Sequence, residues 1–595
     1  MLKLIKELFN IFSSRQRSRF LRLQILVLLM TLIEMCGVVS ISPFMALIGD
    51  MSLLDQDGVL RKVYLSTGVS TAKEFIFLLG VFTLVILTIS SLLSMYTVWS
   101  MALFANKVGT EIGEKLYRNY MSEPWLFHTE ENSAHLTKKI SIESARLTQM
   151  ILVPLMQLNA RVVLVVMMSS MIFWLNPAVA VSALTIFGIA YFLLFKFVRR
   201  KLAINSMQVS TANEERFVLM AEGFGGIKDV LLLGRQKDFI EKFNSSSAKL
   251  AYCQGSNQGL VEAPRHFMEL VTFSALILLI LYLYSGDDSG IGSILPLLSV
   301  YALAGFKMLP AFQQIYRSVG RIKGNISAFD SIKKDLLGKN ILPERDIDAY
   351  LVPKRNFALK NVSFTYPGKD NPVLNHINIS ISVKQTIGLV GSSGSGKSTL
   401  IDLLMGLIEP SEGGLLIDGR SLTVQDKGAW QNTIGYVPQS IFLSDRSFLE
   451  NIAFGVPLAD TDIKKAMKAA TLAHLEELLD ELPEGIHSHI GERGIQLSGG
   501  QRQRIGIARA LYHDPEILIF DEATSALDGL TEKAIMDAIH DFSGKKTIVM
   551  IAHRLKTVRK CDVIFYMDKG RIVDKGTFTE LLERNETFRD MADHS

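Results

Sequence analysis

The stretch TIGLVGSSGSGKST, residues 386–399, decides how the rest of the chain is read. A short apolar strand at 387–390 runs into Gly391, Ser392, Ser393, Gly394, Ser395, Gly396, Lys397, Ser398 and Thr399. The helix-forming run STLIDLLMGL follows. This is G-x-x-x-x-G-K-[ST] in the setting it requires, after a strand and before a helix. Glycines let the backbone bend so that its N–H groups face phosphate oxygens. Lys397 brings a positive charge to the β- and γ-phosphates, and Ser398 offers a hydroxyl to Mg²⁺. The helix N-terminus adds a favourable dipole. A nucleoside triphosphate with Mg²⁺ is therefore the expected ligand.

Two further motifs follow. ILIF at 517–520 suits a buried central strand, which delivers Asp521 and Glu522 at its C-terminal edge. Asp521 is placed to hold Mg²⁺ through water, and Glu522 to align or deprotonate the water attacking the γ-phosphate. LSGGQRQRIGIARAL at 497–511 opens a helix at Ser498, Gly499, Gly500 and Gln501, with Ile505, Ala508 and Leu511 turned inward. A small, glycine-rich helix start is again an anion site. One chain thus owns two phosphate-facing helix starts, more than one nucleotide needs.

LSGGQ between the two other motifs resembles the ATP-binding cassette family of transporters. The likeness extends to other positions. Tyr366 in FTYPG resembles the aromatic that stacks on adenine. Gln439 in YVPQS resembles the glutamine that links Mg²⁺ and water to the membrane domain. GERG at 491–494 resembles the segment touching the coupling helices of exporters. SALD at 525–528, ending in Asp528, resembles the loop at the dimer interface, and His553 in IAHRL resembles the switch histidine at the γ-phosphate. The resemblance implies an α/β P-loop NTPase cassette. It also implies catalytic roles for Glu522, His553 and Gln439, and two cassettes packed head to tail. With one cassette per chain, a second copy is the simplest partner, and a heterodimer stays open.

The remainder of the chain is oily. Of 595 residues, 48% are hydrophobic, and the mean hydropathy is +0.26. A net charge of +4 gives a nucleic-acid partner little electrostatic support. The three cysteines, Cys36, Cys253 and Cys561, form no CxxC pair, so neither a metal site nor a disulfide framework is expected. Six apolar runs of membrane-spanning length lie near 21–47, 73–104, 143–174, 177–199, 261–284 and 291–319. Basic residues gather before the first run and after the second and fourth. The loops 175–178 and 285–290 carry none. Both termini are therefore expected in the cytoplasm.

The expected organisation is a six-span helical membrane domain at 1–320, a linker at 321–354 and the cassette at 355–595. That order resembles exporter-type half-transporters. The segments 123–132 and 222–235 are expected to dock on cassettes, and 51–65 to lie as an amphipathic helix on the outer surface.

Cargo has to be read from the membrane half. Arg161, Arg265 and Lys307 are cations inside or near apolar runs, with Glu34 and Glu269 as counter-ion candidates. Such residues face a partner or a water-filled path, or else snorkel and form structural ion pairs. A cationic cavity would take an anionic head group, with phosphate or pyrophosphate the natural fit. TLIEMCGVVSISPFMALIGD at 31–50 and FKMLPAFQQIY at 306–316 resemble the lipid-linked oligosaccharide flippases of the PglK type. That resemblance implies a polyprenyl-pyrophosphate-linked glycan in a bacterial inner membrane. Span two has no basic residue between Phe75 and Leu103, which departs from a cavity with a charge on that helix. Export of lipid A, phospholipids, drugs or peptides on the same scaffold stays open, as does an ATP-gated channel or regulator.

Overall fold

The computed structural model describes residues 2–49, 51–54, 58–69, 71–175, 177–262, 264–286, 290–338, 345–491, 497–522, 536, 539, 541–552 and 554–593. Its contacts divide the chain into two units. One comprises 1–123 with 127–342, and the other 124–126 with 343–595.

The first unit is helical. Its long helices are Ser14–Gly49, Ala72–Met121, Val153–Leu175, Pro177–Gly225, Gln236–Glu262, Pro264–Gly286 and Gly290–Lys323. The apolar runs 21–47, 73–104, 177–199 and 291–319 each fall on one of these helices, 143–174 covers successive π- and α-helical segments, and 261–284 begins at the end of Gln236–Glu262 and continues on Pro264–Gly286. Among the described residues, three helices are long and apolar enough to cross a membrane: Ser14–Gly49, Ala72–Met121 and Ser133–Trp174. On Ala72–Met121 large apolar residues such as Phe77, Leu84, Leu92 and Trp99 remain exposed, the pattern of a helix solvated by lipid. Its start is fixed by Thr71, whose side chain accepts from Glu74 N at 3.3 Å.

Two segments before Val153–Leu175 are wound as π-helix, Lys139–Glu143 and Thr148–Leu152. Each wider turn re-aims the side chains that follow it. Gly109 of the neighbouring helix admits the second segment, because a Cβ there would overlap Thr148. Glu143 in the first segment is 0% exposed. It accepts from Arg146 Nη1 at 2.8 Å and from Ser210 Oγ at 3.3 Å, and Lys138 Nζ lies 3.9 Å away. Lys138 in turn pairs with Glu214 at 2.9 Å.

The segment 51–65 contains a 3₁₀ turn, Met51–Leu54, and runs into the helix Val59–Thr67. Leu60 and Tyr64 pack towards Leu47, Leu54 and Phe75, while Val59, Val63 and Leu65 stay exposed. Apolar residues therefore occupy both faces, and Arg61 and Lys62 sit between them.

The second unit has two sheets. Strands β1 (Asn356–Phe364), β2 (Leu374–Ser382), β4 (Glu412–Ile417) and β5 (Arg420–Ser421) form an antiparallel sheet in the order β2-β1-β4-β5. The larger sheet has the order β10-β9-β3-β8-β7-β6. Its strands are β3 (Thr386–Gly391), β6 (Ile434–Val437), β7 (Ile517–Asp521), β8 (Thr547–Ile551), β9 (Val563–Asp568) and β10 (Arg571–Gly576). All of its pairings are parallel except β9 with β10. β3 and β8 are buried along their whole length, as a sheet covered on both faces requires. The order places the C-terminal ends of β3, β7 and β6 on one edge, where α/β sheets carry their ligands.

Pro124–Leu126 belongs to this second unit, although it precedes the unit in the chain. Leu126 packs against the core that holds Phe357 and Trp430, and the Trp125 side chain hydrogen-bonds Asp402.

Candidate functional site

The loop after β3 is shaped by its glycines. Gly394 and Gly396 have φ of +78° and +100°, a region that side chains other than glycine rarely adopt. A Cβ on Gly396 would also sit 2.7 Å from Leu374 Cδ2, and one on Gly391 would collide with the Met567 carbonyl oxygen. Lys397 opens the helix Lys397–Leu404 and is only 6% exposed. Its ammonium donates to Gly391 O and Ser392 O, both at 2.9 Å. Burial pulls it below the ordinary lysine range, against the opposing pull of Glu522 and Asp521. Among the described residues no carboxylate forms an ion pair with it.

Ser395 Oγ is buried with no hydrogen-bond partner among the described residues, while Ser393 and Ser398 are exposed at the loop's mouth. A buried ammonium satisfied only by carbonyls, beside an orphaned hydroxyl, fits an anionic ligand. Thr399 Oγ1 lies 3.0 Å from the Tyr366 hydroxyl, which ties the expected adenine-side aromatic to the phosphate loop's helix.

Across the same sheet edge, Gln439 Nε2 donates to Glu522 Oε2 at 2.6 Å. Glu522 has φ +52°, an uncommon conformation for a residue with a side chain. Asp521 Oδ2 accepts from Tyr436 Oη at 3.3 Å. Burial and the charges of Asp521 and Asp402 push that phenol well above its usual range. Asp402 itself, on the phosphate loop's helix, is pushed up to about 6. Burial is the main cause, Trp125 opposes it and Asp521 adds to it. Asp402 escaped the sequence reading because a lone acid in a helix carries no motif.

The motif LSGGQ begins the helix Gly499–Leu511. Ser498 is its N-cap in a reciprocal box with Gln501. Ser498 Oγ accepts from Gln501 N at 3.2 Å, and Ser498 N donates to Gln501 Oε1 at 2.8 Å. Gly500, Ile505, Ala508 and Leu511 are buried, so the inward face is the expected one. His553, Asp528 and residues 492–494 lie outside the described residues.

In the membrane unit, Arg161, Arg265 and Lys307 line one cavity of about 620 Å³, together with Glu34. Lys307 Nζ lies 3.9 Å from Glu34 Oε1. Arg265 is committed to Glu269 at 2.7 Å on its own helix. Arg161 forms no ion pair among the described residues. Arg317 is a fourth cation of the lining, paired with Glu262 at 3.1 Å, and Gln157 and Gln314 add amides that bond each other at 2.6 Å. The sequence reading missed Arg317 and Gln314. Their signal was present: Lys307, Pro310, Gln314 and Arg317 recur at i, i+3, i+7 and i+10, one face of a helix.

Comparison with known proteins agrees with this geometry. Residues 374–525 match the family described as ABC transporter, and residues 24–303 the family described as ABC transporter transmembrane region. An ATP-dependent lipid A-core flippase of Shewanella sp. (strain MR-4) is 31% identical over 80% of this chain and 78% of its own length. The heterocyst differentiation ATP-binding protein HepA of Nostoc sp. is 31% identical over 82% of this chain and 79% of its own length. A solved bacterial Atm1-family ABC exporter with ATP bound has the same fold. It superposes with a TM-score of 0.77 at 23% identity, covering 98% of this chain and 99% of that one. With a membrane domain and an ATPase cassette fused in one polypeptide, this chain belongs to the ABC transporter family as an exporter-type half-transporter, an integral membrane translocase driven by ATP.

Proposed function

We propose that the protein is a flippase for a phosphorylated glycolipid, which it moves from the cytoplasmic to the outer leaflet of a bacterial inner membrane. Two copies work together, with termini and cassettes in the cytoplasm. Each ATP lies between the phosphate loop of one copy and the Ser498–Gln501 helix start of the other. Within each site Tyr366 packs on adenine, residues 391–399 hold the phosphates, and Glu522 aligns the attacking water while His553 contacts the γ-phosphate. Ser398, Gln439 and Asp521 would hold Mg²⁺, which screens phosphate charge when bound. The Gln439–Glu522 contact at 2.6 Å ties the carboxylate to the glutamine of the same site.

The cycle requires ATP to bind the closed cassette pair more tightly than the open one. The tip at 222–235 leaves Phe224, Leu231, Leu232 and Leu233 exposed. A second copy's cassette is the natural cover for that apolar patch.

The substrate assignment rests on one observation: four cations, Arg161, Arg265, Lys307 and Arg317, gather around a single cavity in the membrane unit. Cations within an apolar domain are costly, and a phosphate-bearing head group is the ligand that repays their placement. Arg265, Lys307 and Arg161 are assigned to the head group. Two cargoes carry this chemistry. A polyprenyl-pyrophosphate-linked oligosaccharide matches the likeness of residues 31–50 and 306–316. A lipid A-core glycolipid matches the names of the relatives. Proteoliposomes loaded with each lipid, scored for ATP-dependent loss from one leaflet, decide between them. Lys307→Ala with Arg265→Ala should abolish that loss while nucleotide binding persists. Undiminished flipping by the double variant would rule out the cavity as the head-group site.

A further inference from the structure

Glu34 has no place in the nucleotide chemistry, yet it lies at the heart of the cavity. It sits on the helix Ser14–Gly49 and is 5% exposed. One oxygen, Oε1, accepts from Ser94 Oγ at 2.8 Å and lies 3.9 Å from Lys307 Nζ. The other, Oε2, is buried with no hydrogen-bond partner among the described residues. Lys307 is 38% exposed and faces the same cavity.

The other cations of the lining behave differently. Arg265 and Arg317 hold their carboxylates at 2.7 and 3.1 Å, and Arg161 forms no ion pair among the described residues. Within the lining the Lys307–Glu34 pair alone is long, joining a lysine whose side chain is 38% exposed to a carboxylate that is 5% exposed. The Ser94 hydroxyl holds Glu34 independently of Lys307, and the open Oε2 has capacity for a further donor. A buried carboxylate with that spare capacity is unfavourable unless a donor comes and goes.

We propose that Glu34 is the resident counter-ion of the cavity. It holds Lys307 between transport events, yields it to the phosphate of a head group, and takes it back as the head group leaves. The inference rests on the reading of the cavity as a head-group site. Its physical logic is release. Without Glu34, Lys307 and Arg161 would both face a phosphate with no carboxylate of their own among the described residues and would grip it strongly in a water-poor site, and a transporter has to let go.

The test uses the full-length protein in lipid nanodiscs and lipid-stimulated ATPase. Phosphatidic acid is the phosphate-bearing probe, and phosphatidylcholine, with no net charge, is the comparison. Glu34→Gln removes the competing charge. It should lower the KM for phosphatidic acid about tenfold and lower kcat as release slows, with no shift for phosphatidylcholine. Ser94→Ala frees Oε1 for Lys307 and should raise the KM instead, so the proposal stays testable even where Glu34→Gln fails to fold. Glu34→Gln with Lys307→Gln should match Lys307→Gln alone. If Lys307→Gln raises the KM but Glu34→Gln leaves it unchanged or raises it, the counter-ion role is overturned and the head-group site survives. If Lys307→Gln and Arg161→Gln both leave the phosphatidic acid curve unmoved, the head-group site falls as well.

Discussion

Replacing Asp402 by Asn should stabilise the cassette at neutral pH, with a pH dependence whose sign follows from the structure. Asp402 is half-buried on the helix Lys397–Leu404, beside Asp521 and in contact with Trp125. Its carboxyl is lifted from 3.8 to about 6, chiefly by burial. Each pK unit corresponds to roughly 1.4 kcal/mol, which sets a ceiling of about 3 kcal/mol. Solvent screening of a half-exposed group reduces this to about 1 kcal/mol. The folded form binds the proton more tightly than the unfolded form. Stability linked to Asp402 is therefore fully present below pH 3.8 and is lost as the pH rises through 6. Asn cannot ionise but still accepts from Trp125, so Asp402→Asn avoids that loss. Thermal unfolding of the purified full-length protein, followed through its cassette transition, reads the effect. The variant should be more stable than wild type at pH 8, with the gain shrinking between pH 6 and 4. A gain of equal size at every pH, or a loss at pH 8, refutes the reasoning.

Glu522→Gln should keep ATP binding and lower hydrolysis by roughly 10²–10⁴-fold; a filter-binding assay beside phosphate release measures both, and retained hydrolysis contradicts the assignment. Glu143→Ala leaves Arg146 buried without its carboxylate, while Lys138 keeps Glu214, and should cost about 3–5 kcal/mol, seen as a lower unfolding temperature of the membrane unit. An unchanged transition would show that the surrounding hydroxyls suffice. Gly396→Ala meets both a φ of +100° and the Leu374 side chain, so nucleotide affinity should fall at least about tenfold by equilibrium titration, for a strain of roughly 1–3 kcal/mol. Affinity equal to wild type would mean that the loop relaxes without penalty.

The cassette was legible because its chemistry is local in the chain. Residues 391–399 carry loop, charge and hydroxyl within nine consecutive positions, and only a few residue types meet those demands. Ser498 and Gln501 are likewise three apart, and their capping box is visible as a pattern before any fold is known. The cavity is different. Glu34, Arg161, Arg265 and Lys307 stand on four helices far apart in sequence, and charge within apolar runs was the flag all four shared. That flag singled out residues that line one cavity, but it did not give their pairings. Lys307 meets Glu34 loosely and Arg265 meets Glu269 closely, which only packing decides. The π-helical segments around Glu143 were wholly hidden. A change from i−4 to i−5 bonding leaves no trace in composition, and Gly109, which admits one of them, reads in sequence as an ordinary helical glycine.

The helix Ala72–Met121 runs for 50 residues with no proline. At 1.5 Å per residue it is roughly 75 Å long, more than twice a hydrocarbon core of about 30 Å. It is thus a lever longer than the layer it crosses. A rod of that length tilted by about 5° sweeps its far end through about 6 Å, so a movement at one end smaller than a side chain becomes, at the other, a displacement on the scale of a helix turn. Stiffness is what makes the gain usable, because a kink midway would absorb the swing as bending. An inserted proline near Ser94 would therefore act as slack in a linkage, leaving both ends folded and the stroke between them lost.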